Sequence, residues 1–192
     1  MLFRSAIFLQ QAGIPVKVYE QAPKLARIGA GINLGPHVMR IMRRIGIEET
    51  MNSIGVLPRE RLRRVWDSGQ ITLRQPVENF TEMYGANHLI IHRGDFQAIL
   101  TSRLQPGTLE LGKCLVDVND GATSARMNFT DGTSAEADIV IGADGINSKV
   151  REALYGKDPP LYTDSVAYRS IFPIELLKGM RSEEHTSELQ SH

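Results

Sequence analysis

The sequence predicts an α/β fold with α+β character, in which short strands alternate with helices and antiparallel strands are added. Three stretches carry this prediction. In residues 137–151, branched apolar residues lead into a glycine-rich turn and then a helix. Residues 16–20 alternate as a strand does and end in a carboxylate. Residues 107–138 contain short β-type segments separated by Asn-Asp-Gly and Asp-Gly turns, which predicts a β-meander.

The stretch at 137–151 is the most informative of the three. Residues 139–141 form the branched apolar run expected of a buried strand. Ser148 is placed to cap a helix over residues 149–155. Asp144 would then lie at the tip of the strand beside glycines that let a ligand approach, where a carboxylate suits ligand hydroxyls. The alternative from spacing alone is a strand–turn–helix with a surface aspartate.

Helical and β-strand periodicities divide the rest of the chain into short elements. Gly13 ends the first helix, and Asp95 is placed to cap a helix that follows a buried strand. Trp66 is expected to pack in the core or in a sheet, the alternative being a substrate contact, and Cys114 is expected to be a buried strand residue. Residues 29–35 contain three glycines in seven positions, which disfavours helix and strand and predicts a backbone shaped for close approach, the alternative being an ordinary loop. The predicted helices cover 6–12, 38–46, 48–54 and the stretch after 95, and the other predicted strands cover 61–66, 71–74, 89–91 and 162–173.

Composition excludes several function classes. The 22 Lys and Arg residues balance the 22 Asp and Glu residues, which argues against nucleic-acid or membrane-surface binding driven by bulk charge. Cys114 is the only cysteine, so an internal disulfide framework and a thiolate metal cluster are excluded, and a reduced cytoplasmic setting is expected. No apolar run reaches the roughly 18 residues of a membrane helix. His88 and His92 lack other ligand-type neighbours, so no metal site is predicted.

Four stretches resemble the FAD-dependent aromatic hydroxylases, the single-component flavoprotein monooxygenases, and are most similar to the 6-hydroxynicotinate and salicylate hydroxylase branch. They are V-Y-E-Q-A-P at 18–23, G-A-G-I-N-L-G-P at 29–36, H-R-G-D at 92–95 and I-G-A-D-G-I-N-S-K-V-R at 141–151. The resemblance implies a Rossmann-like FAD-binding fold with a β-meander and the start of an inserted β-rich substrate domain. It also implies an enzyme whose flavin, reduced by NAD(P)H, reacts with O₂ to hydroxylate an aromatic or N-heteroaromatic carboxylic acid.

The same resemblance implies a set of cofactor contacts. A strand-final acid such as Glu20 holds the ribose hydroxyls of the adenosine half, Asp144 contacts the ribityl chain, and Arg93 contacts FAD unless it forms an ordinary surface salt bridge. Leu115 touches the cofactor through its backbone. Asn33 stands where the bacterial 6-hydroxynicotinate hydroxylases carry a proposed base histidine, and an amide cannot abstract a proton. No catalytic residue is therefore assigned. The implied cofactor contacts are Glu20, Gln21, Arg27, Gly31, Leu34, Arg93, Leu115, Asp144 and Gly145.

Both ends of the chain are expected to be foreign to the gene. Residues 1–5 and 181–192 read as translations of sequencing-library adapters, the alternative for the second being a natural polar tail. The first strand and the G-x-G-x-x-G phosphate loop of the family would precede residue 6. We therefore expect an incomplete chain that is inactive as written. The expected domains are an FAD-binding domain at 6–60 and 91–162 and a substrate domain beginning at 61–90 and again at 163–180.

Two further readings stay open at this stage. One is a flavoprotein reductase or a non-aromatic hydroxylase of the same fold. The other is a non-catalytic nucleotide-binding module, against which the glycine-rich segment at 29–35 counts. The expected partners are a small aromatic substrate, FAD and NAD(P)H, with no nucleic acid and no membrane, and a homodimer is included as a candidate assembly.

Overall fold

The computed structural model describes residues 2–27, 31–166 and 176. They divide into two compact units, unit 1 with residues 2–26 and 100–166, and unit 2 with residues 27, 31–99 and 176. The elements in chain order are α1 (Leu2–Gln11), β1 (Val18–Glu20), β2 (Gly31–Leu34), α2 (Pro36–Arg44), α3 (Glu48–Ile54), β3 (Glu60–Arg64), β4 (Ile71–Pro76), α4 (Phe80–Tyr84), β5 (Leu89–His92), α5 (Arg93–Thr101), β6 (Leu109–Leu111), β7 (Leu115–Asp120), β8 (Ala125–Phe129), β9 (Ser134–Ala137) and α6 (Lys149–Tyr155).

Unit 1 contains the parallel strand pair β1–β6, with Val18 opposite Leu109. Helix α1 packs against β1 and buries Ala6 and Ile7. The helix ends where Gly13 takes a positive φ of 75°, a conformation that glycine adopts without strain. The predicted helix at 6–12 and the predicted strand ending at residue 20 are both confirmed.

The β-meander of unit 1 consists of β7, β8 and β9, joined antiparallel in that order. The central strand β8 alternates as a half-buried strand should, with Ala125, Met127 and Phe129 buried. The ring of Phe129 lies 4.8 Å from the ring of Tyr19, which ties the meander to β1. Strand β6 was predicted as part of the meander, and this is wrong: it pairs with β1 instead. Sequence spacing could not distinguish a meander strand from a parallel neighbour.

Unit 2 is built on the antiparallel pair β2–β5, with Asn33 opposite Ile90. Helices α2, α3 and α4 supply its core, and Met39, Met42 and Met51 are fully buried. The predicted helices at 38–46 and 48–54 are confirmed within two residues at each end. Strands β3 and β4 form the predicted hairpin, with a register shift between Arg63 and Arg64. Helix α4 was not predicted, because five residues are too few for a periodic signal.

Five sequence expectations are corrected by the structure. Residues 139–141 form no strand, and Ile139 is 80% exposed. No described strand pairs with this segment, and a lone strand would leave its backbone N–H and C=O groups unpaired. Trp66 is 95% exposed because it lies in the turn beyond β3. Cys114 is only half-buried and precedes β7. The glycine-rich stretch was expected to be a poor strand, but residues 31–34 form β2 because β5 supplies their backbone hydrogen-bond partners. Residues 162–166 are not a strand, and the rest of that predicted strand lies outside the described residues.

Candidate functional site

The nine implied cofactor contacts are divided between the two units. Five lie in unit 1 and four in unit 2. The unit 1 residues are Glu20, Gln21, Leu115, Asp144 and Gly145, and the unit 2 residues are Arg27, Gly31, Leu34 and Arg93.

In unit 1, Glu20 is the last residue of β1, as predicted. The N–H of Ala22 donates to Glu20 Oε1 at 2.9 Å and so closes a tight turn after the strand. The other carboxylate oxygen makes no hydrogen bond within the described residues, and it remains an acceptor for ligand hydroxyls. A strand-final carboxylate with one unused oxygen suits the ribose hydroxyls of a nucleotide.

The segment before β7 lies beside the end of β1 and brings three predicted residues together. The backbone N–H of Lys113 donates to the carbonyl of Glu20 at 2.9 Å. Cys114 Sγ lies 3.9 Å from Gln21 Oε1, and Leu115 begins β7 directly afterwards. Glu20, Gln21 and Leu115 are therefore neighbours in space, although about 95 positions separate them in sequence.

Sequence reasoning missed Lys113, which fixes this arrangement. Its ammonium donates to Asp131 Oδ2 at 2.6 Å and to Thr133 Oγ1 at 2.8 Å. It also lies 5.6 Å from the centre of the Phe129 ring, within cation–π range. Hydrogen bonds from Lys113 and Thr133 hold the pKa of the Asp131 carboxyl well below its usual range. The Asp131-Gly132 turn in the sequence was a usable signal, but only the fold shows which lysine it meets.

Asp144 is bound to the start of α6. Its Oδ1 accepts from the Ser148 hydroxyl at 2.6 Å, and its Oδ2 accepts from the N–H groups of Lys149 at 2.6 Å and Val150 at 3.3 Å. Ser148 caps the helix as predicted, accepting from the N–H of Arg151 at 3.0 Å. Partial burial raises the pKa of the Asp144 carboxyl, but these hydrogen bonds outweigh it and hold the pKa below its ordinary value. Asp144 is thus an ionised, pre-oriented acceptor.

The turn that carries Asp144 depends on two glycines. Gly145 has a positive φ of 79°, which side chains rarely adopt. A Cβ on Gly142 would lie 2.8 Å from Cβ of Val150, closer than carbon atoms pack. The turn can therefore lie directly against α6 only because both positions are glycine.

In unit 2, Asp95 binds the Arg27 side chain and does not cap a helix. The guanidinium donates through Nε to Asp95 Oδ1 at 2.7 Å and through Nη2 to Oδ2 at 2.8 Å, a bidentate pair. The prediction that Asp95 caps a helix is wrong, because α5 already begins at Arg93. The hydrogen bond from Arg27 holds the pKa of the Asp95 carboxyl below its usual value. Nη1 of Arg27 has no partner among the described residues and can still donate to a ligand.

Gly94 lets Arg27 approach this closely. A Cβ at Gly94 would lie 2.8 Å from both Cα and Cγ of Arg27. Arg93 is exposed at the first position of α5, directly beside this contact. The H-R-G-D motif thus exposes its own arginine, Arg93, and fixes Arg27 through Gly94 and Asp95.

Gly31 and Leu34 occupy the two ends of β2. Gly31 is exposed, and a Cβ there would meet nothing nearer than 3.5 Å, which is an ordinary contact. The chain itself therefore does not require glycine at this position, and the open backbone fits a ligand lying against it. Leu34 is buried, so its side chain belongs to the core of unit 2 and is not available to a ligand.

These observations fit FAD. In unit 1, the free oxygen of Glu20 and the pre-oriented Asp144 suit ligand hydroxyls. In unit 2, the free Nη1 of Arg27 suits a phosphate, and the open backbone at Gly31 suits a flat ring. No group of His, Cys, Asp and Glu residues in the described part of the chain could hold a metal ion. Among the same residues, no helix is long and apolar enough to cross a membrane.

Comparison with known proteins agrees with this chemistry. The pattern of the FAD binding domain family matches residues 3–159. The chain is 47% identical over 175 residues to 6-hydroxynicotinate 3-monooxygenase of Bordetella bronchiseptica, covering 91% of this chain and 46% of that protein. It therefore spans about half the length of the curated relatives it matches.

Two solved structures are similar in fold and sequence. One is 2,6-dihydroxypyridine-3-hydroxylase from Arthrobacter nicotinovorans, with 30% identity and a TM-score of 0.69, over 84% of this chain and 38% of that one. The other is Klebsiella pneumoniae HpxO in complex with FAD and uric acid, with 27% identity and a TM-score of 0.68, over 78% and 38% respectively. With the family pattern matched over most of its length, the chain belongs to the FAD binding domain family of the FAD-dependent aromatic hydroxylases.

Proposed function

We propose that the full-length protein containing residues 6–180 is a monooxygenase that uses FAD, NAD(P)H and O₂ to hydroxylate an aromatic or N-heteroaromatic carboxylic acid. The observation that carries this proposal is the 47% identity to 6-hydroxynicotinate 3-monooxygenase over 91% of the chain. The bound flavin would supply the redox and oxygen chemistry. The protein would bind and orient both molecules and exclude water from the ring.

The described residues divide this work by their chemistry. In this scheme, Glu20 accepts hydrogen bonds from the ribose hydroxyls of the adenosine half, and Gln21 and the backbone of Leu115 lie beside it. Asp144 and Gly145 contact the ribityl chain. Arg27 and Arg93 supply positive charge, and the backbone at Gly31 and Leu34 lies along the flavin. The residue that transfers the substrate proton remains unassigned.

We further propose that residues 6–60 and 91–162 form the FAD-binding domain, and that residues 61–90 and 163–180 belong to a substrate domain. We also propose a cytoplasmic location, in keeping with the single cysteine. Size-exclusion chromatography with light scattering would test the candidate homodimer.

The test begins with the full-length gene from the source DNA. The purified protein should be yellow with the two visible absorption bands of FAD. It should oxidise NADH or NADPH faster with one member of a panel of hydroxybenzoates and hydroxypyridine carboxylates, and yield the hydroxylated product. A yellow protein indifferent to every aromatic acid would favour a reductase or a non-aromatic hydroxylase. A colourless protein that cannot be loaded with FAD would contradict the flavin assignment.

A pair of variants tests the site as well as the cofactor. Glu20→Ala removes the strand-final carboxylate, and we expect FAD to bind about ten-fold or more weakly because hydroxyl groups lose a charged acceptor. Glu110→Ala is the matched control, since Glu110 is a strand carboxylate of the same unit that pairs with Lys17. Equal loss of FAD affinity in the two variants would refute the role of Glu20.

A further inference from the structure

The segment between β6 and β7 is hydrogen-bonded to two separate parts of unit 1. On one side, the backbone N–H of Lys113 donates to the carbonyl of Glu20 at the end of β1, at 2.9 Å, and the preceding N–H makes a bond of 3.0 Å to the turn after β1. On the other side, the N–H of Thr130, in the turn between β8 and β9, donates to the carbonyl of Cys114 at 2.9 Å. The segment therefore links the end of β1 to the β-meander.

The side chain of Lys113 joins the same meander turn through a closed set of hydrogen bonds. Its ammonium donates to Asp131 Oδ2 at 2.6 Å and to Thr133 Oγ1 at 2.8 Å. The Thr133 hydroxyl donates to Asp131 Oδ1 at 2.6 Å, and the Thr133 N–H donates to the same oxygen at 3.0 Å. Each of the three residues is bonded to the other two, which favours one arrangement of all three. We call Lys113, Asp131 and Thr133 the lysine lock.

The lysine lock is partly shielded from water. The side chain of Lys113 is 18% exposed and that of Asp131 is 40% exposed. The ammonium also lies 5.6 Å from the centre of the buried Phe129 ring, within cation–π range. An ion pair on an open surface contributes little, whereas a shielded lysine with several partners has one preferred position. The Phe129 ring in turn contacts Tyr19, the residue before Glu20 in β1.

Lys113 lies between two of the implied cofactor contacts, Glu20 and Leu115. Its backbone binds the first, and Leu115 follows two positions later as the first residue of β7. The ladder between β7 and β8 is irregular directly after Leu115, so one ladder pair, Leu115 with Phe129, lies before the irregularity. Contacts outside the ladder therefore help to hold the start of β7. The lysine lock supplies such contacts, and they include a charge-assisted hydrogen bond.

We propose that Lys113 is a positioning residue, which sets the spacing between Glu20 and Leu115 for the adenosine half of FAD. The inference rests on the proposed function and deepens it by naming the residue that prepares this part of the cofactor site. Lys113 acts through its two neighbours and not on the ligand, because the meander turn binds its ammonium. Without the lysine lock, FAD would have to order both segments when it binds, and this ordering weakens affinity.

The test measures cofactor affinity in the full-length protein after FAD has been removed, through the quenching of flavin fluorescence. Two fragments separate the halves of the cofactor. ADP carries the adenosine half and is measured as a competitor of FAD, whereas FMN carries the flavin half. Lys113→Met should weaken the binding of FAD and ADP about five- to fifty-fold, since the ligand must then order the two segments. The affinity for FMN and the kcat at saturating FAD should both stay within about two-fold of wild type.

Lys17→Met is the matched control. Lys17 is another lysine of unit 1 with two acceptors, Glu110 Oε1 at 3.1 Å and the carbonyl of Gly107 at 2.8 Å, but it lies at the opposite end of β1 from Glu20. This variant should bind FAD and ADP as wild type does. A purely structural role of Lys113 would instead give losses that follow the free energy of unfolding of each variant, measured in urea.

Two further variants test the lysine lock itself. Lys113→Arg keeps the positive charge and the donors, so it should recover most of the affinity for FAD and ADP. Asp131→Asn removes the ion pair from the side of the turn and should show much of the Lys113→Met loss. Adding it to Lys113→Met should change little, because both substitutions remove one interaction.

Four outcomes would overturn the inference. They are wild-type affinity for FAD and ADP in Lys113→Met, an equal loss of affinity for ADP and FMN, an equal loss in Lys17→Met, and additive losses from Asp131→Asn and Lys113→Met. If wild-type protein hydroxylates an aromatic acid while Lys113→Met binds FAD normally, the inference fails and the proposed function stands. If Lys113→Met shows the expected losses but wild-type protein hydroxylates no aromatic acid, the inference stands and the proposed function fails. If wild-type protein cannot be loaded with FAD, both fail.

Discussion

Substitution by alanine should affect two glycines of unit 2 differently. A Cβ at Gly94 would lie 2.8 Å from Cα and Cγ of Arg27, and carbon atoms pack at about 3.5 Å, so the two segments must separate by roughly 0.7 Å. Overpacking of this kind costs about 1–3 kcal/mol. Alanine stabilises a helix by up to about 1 kcal/mol relative to glycine, which offsets part of this cost. Gly94→Ala should therefore lower the free energy of unfolding by about 0–2 kcal/mol and break the bidentate contact of Arg27 with Asp95.

Gly31→Ala is the counterpart. Its Cβ would meet only ordinary contacts, so the free energy of unfolding of the FAD-free protein should change by less than about 0.5 kcal/mol. FAD affinity should nevertheless fall, because the methyl group occupies the space that the open backbone leaves for the ring. Urea unfolding of the FAD-free full-length protein measures the first quantity, and titration with FAD measures the second. The reasoning is refuted if Gly31→Ala destabilises the FAD-free protein as much as Gly94→Ala does, or if it binds FAD normally.

Two other expectations concern the free energy of unfolding. Ser148→Ala removes the N-cap of α6 and the hydroxyl that donates to Asp144, so the free energy of unfolding should fall by about 1 kcal/mol in urea titrations. Ser53→Ala is the control. It removes an exposed hydrogen bond to the Thr50 carbonyl and should change the free energy of unfolding by less than about 0.5 kcal/mol. His88 has a lowered pKa in the folded protein, so its contribution to stability is complete above the unfolded pKa of about 6.5 and is lost as pH falls through that value towards the folded pKa. His88→Phe should flatten this fall of the free energy of unfolding in a series from pH 8 to 5. An unchanged slope in His88→Phe would contradict the lowered pKa of His88.

Local rules predicted the elements whose stability is local. The helices at 36–44, 48–54 and 149–155, their glycine ends and the Ser148 cap follow from periodicity and capping chemistry. Failures occurred where a distant partner decides the outcome. Residues 139–141 have strand composition without a described strand beside them, and β6 found its partner in β1, about 90 positions away. The link between Lys113 and Glu20 is of the same kind, and no spacing rule could reveal it.

Asp95 and Asp144 were both predicted to lie between a strand and a helix, and they show why a site needs both kinds of evidence. The sequence assigned helix capping to Asp95 and ligand binding to Asp144, since both are short acids before a helix. In the structure Asp95 binds Arg27, and Asp144 accepts from the first turn of α6. The nearest donor decides the outcome. Gly94 admits a guanidinium beside Asp95, whereas the donors that Asp144 meets among the described residues are all at the start of α6.

Capping does not remove Asp144 from the proposed site. Its Oδ2 accepts two backbone bonds, but its Oδ1 accepts one bond, from Ser148. A carboxylate oxygen has two acceptor positions, so Oδ1 keeps one for a ligand hydroxyl. Because the helix already fixes this oxygen, the Asp144 side chain would lose little conformational entropy when a ligand donates to it. The cap and the ligand contact are therefore compatible roles of one residue, and loss of Ser148 should weaken both.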